Sequence, residues 1–142
     1  MKHFKINKRF GSYRKVFIFK NIVIKIPRNI LGMLVNMNEI YNWHHYKKLR
    51  QFLCPIIFHD LLGLIIIMKK ADIPSDTKYN NNYLREFRDR FISEDFVHPI
   101  ANDIKLYNFG ILNNSIVKID YGNDYWLYNI FIGIRNKINN IM

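Results

Sequence analysis

The apolar residues of this chain come in short runs, which limits what it can fold into. The longest unbroken run is Leu64–Met68, and counting Gly63 extends it only back to Leu61. A membrane-spanning helix needs about 20 apolar residues, so we expect no membrane span. With 49% hydrophobic and 15% aromatic residues, the chain can build a core, which excludes a disordered tail or a fibrous repeat. Its 142 residues suit one domain, or two small lobes that share a core.

Cysteine usage indicates a reducing compartment. The chain has one cysteine, Cys54, so an internal disulfide and a cysteine-based structural zinc site are both excluded. We expect a cytoplasmic protein in which Cys54, between Leu53 and Pro55, is buried and inert. The five histidines show no spacing typical of a metal site, and we expect them to be exposed or hydrogen-bonded.

Positive charge is concentrated at the start of the chain. The sequence has 22 Lys and Arg against 11 Asp and Glu, a formal net charge of +11. No acidic residue precedes Glu39. This predicts an anionic partner, such as nucleotide phosphates, nucleic acid or an acidic protein surface. The alternative is the codon bias of an AT-rich genome, which explains a high lysine count better than it explains 38 residues without an acid.

Residue patterns predict a mixed α+β chain. β-branched and aromatic runs predict strands, and apolar residues at three-to-four spacing predict helices. The predicted strands span 9–26 with a turn at 20–21, then 54–58, 61–68, 109–112 and 116–119. The predicted helices span 36–52, 83–97 and 125–138. Gly63 is expected at a bulge or turn, and Asn113–Asn114 at a hairpin turn.

The second half carries a pattern typical of phosphate chemistry. Asp103 and Asn108 are separated by four residues, and a predicted hairpin then leads to Asp120-Tyr121-Gly122. This resembles the catalytic core of the protein-kinase-like superfamily, with Tyr121 in place of the usual phenylalanine. The resemblance implies that Asn108 and Asp120 hold Mg²⁺. It also implies that Asp103 orients the attacking hydroxyl and that Lys105 offsets developing charge.

The first half supplies the matching parts. The strand Ile22–Lys25 resembles the Val-Ala-Ile-Lys strand of the same superfamily. By resemblance, Lys25 would hold the phosphates of ATP and Glu39 would pair with it. Gly11 and Ser12 would belong to the phosphate-covering loop. Met68 would lie in the connection that meets the adenine.

The resemblance covers residues 10–122 and extends to the short kinase-like proteins of phages and prophages. It implies a two-lobe kinase-like α+β fold. It also implies that the protein is located in the host cytosol. Residues 1–70 would form an N-lobe of antiparallel sheet plus one helix. Residues 71–142 would form a truncated, mainly helical C-lobe with the catalytic hairpin, the two making one compact unit. Three features depart from the family: a single glycine, Gly11, in the phosphate loop, Ala101–Asn102 before the catalytic aspartate, and only 20 residues after Gly122. The last makes a peptide-substrate lobe unexpected.

Two functions therefore stand open. One is a minimal phosphotransferase that uses ATP and Mg²⁺. The other is a non-catalytic kinase-like phage effector that inhibits a host ribonucleoprotein, such as an RNA-guided defence nuclease, or binds RNA. Its anion-binding surface would contain Arg9, Arg14, Lys15 and Lys20, among aromatic residues that can stack on bases. Mutation of Asp103 should abolish only the first function. The sequence leaves the oligomeric state open.

Overall fold

The computed structural model describes residues 7–10, 13–73, 85, 89 and 108–122, and within them the chain has a mixed α+β fold. In chain order the elements are β1 (Asn7–Phe10), β2 (Arg14–Ile18), β3 (Ile22–Pro27), α1 (Ile30–His45), a 3₁₀ helix (Lys47–Phe52), β4 (Ile56–His59), β5 (Ile66–Lys69), β6 (Phe109–Leu112) and β7 (Ser115–Lys118). The predicted helix over 83–97 falls outside the described residues except for Arg85 and Asp89, which are helical. The predicted helix over 125–138 lies wholly outside them.

Five strands form an antiparallel sheet in the order β1-β2-β3-β5-β4. The predicted turn at residues 20–21 is confirmed, because the Phe19 amide donates to the Ile22 carbonyl across it at 2.9 Å. In the register of β2 and β3, Val16 lies opposite Lys25, and Lys25 lies opposite Ile66 of β5. The central strand β3 therefore carries Lys25 in the middle of the sheet.

Helix α1 begins six residues before its predicted start. Asn29 caps it, since its side chain accepts a hydrogen bond from the Gly32 amide at 2.9 Å, as N-cap asparagines do. The α-helix ends at His45, and a 3₁₀ helix follows over Lys47–Phe52. The prediction of one helix over 36–52 is therefore wrong at both ends, because the Asn29 cap and the break at Tyr46 were not recognised.

The segment between β4 and β5 is a turn where the sequence predicted an early strand. The Asp60 carboxylate accepts hydrogen bonds from the amides of Leu62 and Ile65, at 3.0 and 2.9 Å. Gly63 has a φ of +71°, which confirms the predicted turn glycine. Strand β5 consequently starts at Ile66 and continues to Lys69.

The β6–β7 hairpin is confirmed where it was predicted. Its turn residues Asn113 and Asn114 have φ values of 51° and 60°, the left-handed conformation that two-residue hairpin turns require and asparagine tolerates. Backbone hydrogen bonds join the hairpin to the rest of the fold. The Cys54 amide donates to the Lys118 carbonyl at 2.8 Å, and Asp72 and Ile111 exchange backbone hydrogen bonds of 2.8 and 2.7 Å.

The core lies where the large sheet, the 3₁₀ helix and the hairpin meet. Its buried members are Leu49, Phe52, Leu53, Cys54, Ile66, Met68, Ala71, Phe109, Val117 and Tyr121. Tyr121 belongs to the segment after β7, so this segment is anchored in the core, which positions the site described below. In the part of the chain that the structure describes, no helix is long and apolar enough to cross a membrane.

Candidate functional site

Helix α1 buries polar residues on its inner face. Its five buried residues are Gly32, Val35, Asn36, Glu39 and Asn42, a three-to-four spacing that places them on one side of the helix. Asn36 and Glu39 are fully buried and Asn42 nearly so. Buried amides and carboxylates need hydrogen-bond partners, so this face must meet other polar groups.

Two of those partners come from the sheet. Arg14 and Val16 project to the same face of β2, and Lys25 lies opposite Val16. Because side chains alternate between the faces of a strand, Arg14 and Lys25 share one face. Both are buried, with 6% and 4% of their surface exposed. The sheet thus presents two cations to the polar face of α1.

The cations and the Glu39 carboxylate form a buried charge network. Lys25 Nζ lies 2.7 Å from Glu39 Oε1, and Arg14 Nη1 lies 2.5 Å from Glu39 Oε2. Arg14 Nη1 also donates to Asn36 Oδ1 at 3.1 Å. Each carboxylate oxygen of Glu39 is therefore neutralised by a different cation.

The segment after β7 completes the network. Arg14 Nη2 donates to Asp120 Oδ1 at 2.6 Å, and Lys25 Nζ donates to the Ile119 carbonyl at 2.7 Å. The Tyr121 amide donates to Glu39 Oε1 at 3.3 Å. The side-chain amides of Asn38 and Asn42 hold the carbonyls of residues 122 and 121, at 3.0 and 2.8 Å. Helix α1 therefore fixes the position of Asp120 relative to Lys25.

The electrostatics keep Asp120 and Arg14 charged. Burial alone would raise the pKa of Asp120, but the positive charges of Arg14, Lys25 and Lys118 hold that pKa well below its usual range. Burial alone would lower the pKa of Arg14, but Asp120 and Glu39 raise it further above its already high value. The network contains two cations and two carboxylates, so its side-chain charges cancel.

The structure brings several of the predicted site residues together. Lys25 and Glu39 form the pair that the sequence predicted, and Asp120 joins them through Arg14. Asn108 is buried, and its carbonyl accepts a hydrogen bond from the Ile119 amide at 2.7 Å, which places it beside the same segment. Four other predicted residues lie outside the described part of the chain: Gly11, Ser12, Asp103 and Lys105.

Two predicted positions need correction. Arg14 does not belong to an exposed basic surface, because its guanidinium is buried in the charge network. Met68 does not lie in a connecting segment, since β5 continues through it to Lys69 and its side chain is 2% exposed in the core.

The structure describes the side chains of two of the three remaining residues of the predicted basic surface. Lys15 and Lys20 are exposed, as that prediction requires. Arg9 lies in β1, where its backbone pairs with Val16 of β2, and its side chain lies outside the described part of the structure.

Cys54 is buried, as predicted. Its thiol donates to the Lys69 carbonyl at 3.0 Å, and burial raises its pKa to about 11.

His44 and His59 place their Nε2 atoms 2.8 Å apart. Among the described residues, no third metal-ligating side chain joins this pair.

Sequence reasoning missed the polar face of α1. It predicted by resemblance that Glu39 pairs with Lys25, but it assigned no role to Asn36 and Asn42, which together with Glu39 recur every three residues along α1. That recurrence places three polar side chains on the face that Val35 also occupies, and it was the available signal for a buried polar site.

The donor set near the hairpin fits a magnesium ion in its chemistry. Asp120 and Asn108 offer a carboxylate and an amide oxygen, the hard ligands that Mg²⁺ prefers. The Asp120 side chain is 31% exposed, against 7% for its partner Arg14, so the carboxylate is the solvent-facing end of the network. No protein-family model and no curated protein matches the chain.

Proposed function

We propose that this protein is a minimal kinase-like phosphotransferase that uses ATP and Mg²⁺. The observation that carries the proposal is the 2.7 Å pair of Lys25 and Glu39 beside a partly exposed Asp120. A protein-kinase-like two-lobe fold with a truncated C-lobe is part of the proposal. It is supported by the five-stranded antiparallel sheet, the helix between β3 and β4, and the hairpin flanked by Asn108 and Asp120.

Lys25 would bind the phosphates of the nucleotide. A lysine is a flexible point charge, and it needs partners that hold its ammonium in one place. Glu39 and the Ile119 carbonyl provide them, each at 2.7 Å from Nζ. Because Glu39 is itself held by Arg14, the carboxylate stays in position when the Lys25 ammonium turns towards a phosphate.

Asp120 and Asn108 would hold the magnesium ion. Bound there, magnesium would supply neutralisation of the charge that develops on the phosphate oxygens during transfer. The chain's own contribution is to keep Asp120 ionised, through the positive charges of Arg14, Lys25 and Lys118, and to hold it in position through the α1 contacts to residues 121 and 122. Asp103 would orient the acceptor hydroxyl and Lys105 would offset charge, while Gly11 and Ser12 would cover the phosphates. These four roles rest on the sequence resemblance.

A non-catalytic function is the second candidate, and one observation favours it. Arg14 already neutralises Asp120, so the charges within the network cancel and the net charge of +11 comes from residues outside it. Exposed lysines such as Lys15 and Lys20 would then bind RNA or a host ribonucleoprotein through phosphate contacts.

The proposal predicts that Lys25→Met weakens ATP binding in the presence of Mg²⁺. We expect a loss of roughly 10- to 100-fold, because a hydrogen bond to a charged group contributes about 1.5–3 kcal/mol. Isothermal titration calorimetry measures the change. Thermal unfolding checks that the variant folds, as expected because Glu39 keeps its contact with Arg14.

Lys20→Met is the matched control, since Lys20 is an exposed lysine on the turn that precedes β3. It should leave the affinity within about twofold of wild type, as surface substitutions usually do. Equal ATP affinities for wild type and Lys25→Met would refute the proposed role of Lys25.

A further inference from the structure

Arg14 contacts the residue that the proposed function assigns to magnesium. We propose that Arg14 is an internal counter-ion that holds Asp120 in the metal-free protein and releases it when the metal–nucleotide complex binds. The inference rests on the proposed function, because it takes Asp120 as a metal ligand. The release of Asp120 by Arg14 would be a switch within that site, and the kinase resemblance does not imply it.

The geometry of the guanidinium allows this exchange. Nη1 contacts Glu39 and Asn36, at 2.5 and 3.1 Å, whereas Nη2 contacts Asp120 at 2.6 Å. The two terminal nitrogens of the guanidinium therefore contact different partners. Breaking the Nη2 contact leaves Arg14 anchored through Nη1, so Asp120 can be released without moving β2 or α1.

The exposure of the two carboxylates indicates which of the Arg14 contacts opens. The side chain of Glu39 is fully buried, while that of Asp120 is 31% exposed. An ion arriving from solvent reaches the Asp120 end first. The buried Glu39 end keeps its compensating charges, which are costly to separate in a protein interior.

Charge balance gives the exchange a driving force. A carboxylate oxygen 2.6 Å from a guanidinium is already neutralised, so a divalent cation there must compete with Arg14. A bound nucleotide adds phosphate oxygens beside the site. The released Nη2 can then donate to phosphate, a group that arginine recognises well, and this would compensate for a phosphate loop with a single glycine.

A double-mutant cycle in the 142-residue chain tests the exchange. Arg14→Gln, Asp120→Asn and the double variant are unfolded with urea, in EDTA and again in saturating Mg²⁺ with a non-hydrolysable ATP analogue. In EDTA we expect the Arg14–Asp120 coupling to change the unfolding equilibrium constant about tenfold. With the magnesium complex bound to wild type, the coupling should disappear.

Mn²⁺ binding, followed by electron paramagnetic resonance, gives an independent readout. Arg14→Gln should bind Mn²⁺ with the analogue about tenfold more tightly than wild type, because the competing cation is gone. Lys48→Gln removes an exposed lysine of the 3₁₀ helix and should change the affinity less than about twofold. Arg14→Lys should also bind Mn²⁺ with the analogue more tightly than wild type, because a single ammonium cannot contact Glu39 and Asp120 together as the guanidinium does. It serves as the test if Arg14→Gln does not fold.

The outcomes separate the inference from the proposed function. If wild type binds the magnesium complex while the Arg14–Asp120 coupling persists, Arg14 does not release Asp120 and only the inference fails. If Mn²⁺ affinity is unchanged or lower in both Arg14 variants, the competition is likewise refuted. If no variant and no wild-type protein binds Mn²⁺ with the analogue, the proposed metal site fails too.

Discussion

Replacing Glu39 with glutamine is expected to lower the free energy of unfolding by about 3–5 kcal/mol, the range for breaking a buried ion pair. The carboxylate is fully buried and lies within 2.7 Å of both Lys25 and Arg14. The substitution keeps the shape of the side chain but, among the described residues, leaves the partly exposed Asp120 as the one acidic partner of the two buried cations. Since the free energy of unfolding of a small domain is only about 5–15 kcal/mol, this loss is large. Urea unfolding monitored by circular dichroism measures it.

Asp72→Asn is the control for the Glu39 variant, because it makes the same acid-to-amide change at an exposed position. Its effect should stay within about 0.5 kcal/mol. Arg14→Gln combined with Glu39→Gln should lose less than the sum of the single changes, since the double variant also removes a stranded cation. A Glu39→Gln protein as stable as Asp72→Asn would show that the network does not stabilise the fold.

Gly122→Ala is expected to displace the segment that carries Asp120. A Cβ at position 122 would lie 2.5 Å from the carbonyl oxygen of Val35 and 3.2 Å from the Glu39 Cβ. The first of these is backbone of α1, which cannot move without disturbing the helix. We expect a loss of about 1–3 kcal/mol in stability, the usual cost of overpacking, together with loss of magnesium-dependent ATP binding.

Ser115→Ala provides the comparison for Gly122→Ala, since Ser115 is exposed on β7 of the preceding hairpin. It should leave both the unfolding free energy and ATP binding close to wild type. If Gly122→Ala binds ATP with wild-type affinity and magnesium dependence, close packing of residue 122 against α1 is not needed for the site.

Local signals in the sequence were sufficient for the β2–β3 and β6–β7 hairpins. The Asn113–Asn114 pair between two apolar strands predicted β6 and β7, because asparagine tolerates the left-handed turn. The same reasoning placed β2 and β3 on either side of the turn at residues 20–21. The Lys25–Glu39 contact followed from the kinase resemblance, which supplied a long-range pairing that periodicity alone does not contain.

Other features depend on contacts that a local pattern cannot show. Arg14 lies in a basic stretch and reads as exposed, but its partners Glu39 and Asp120 are 25 and 106 residues away in the chain. The start of α1 was missed because the Asn29 cap was not recognised as a helix start. Met68 was assigned to a connection because the length of β5 depends on its pairing with β3 and β4.

The central claim is that Asp120 supports magnesium-dependent nucleotide binding next to Lys25. The most direct measurement is isothermal titration calorimetry of ATP into wild type and Asp120→Asn, each with Mg²⁺ and with EDTA, and with Asp72→Asn as the control. We predict binding to wild type and to the control that requires Mg²⁺ and is lost in Asp120→Asn. Absence of binding to wild type at millimolar ATP, or binding that ignores both Mg²⁺ and the Asp120 substitution, would contradict the account and favour the exposed lysines as the functional surface.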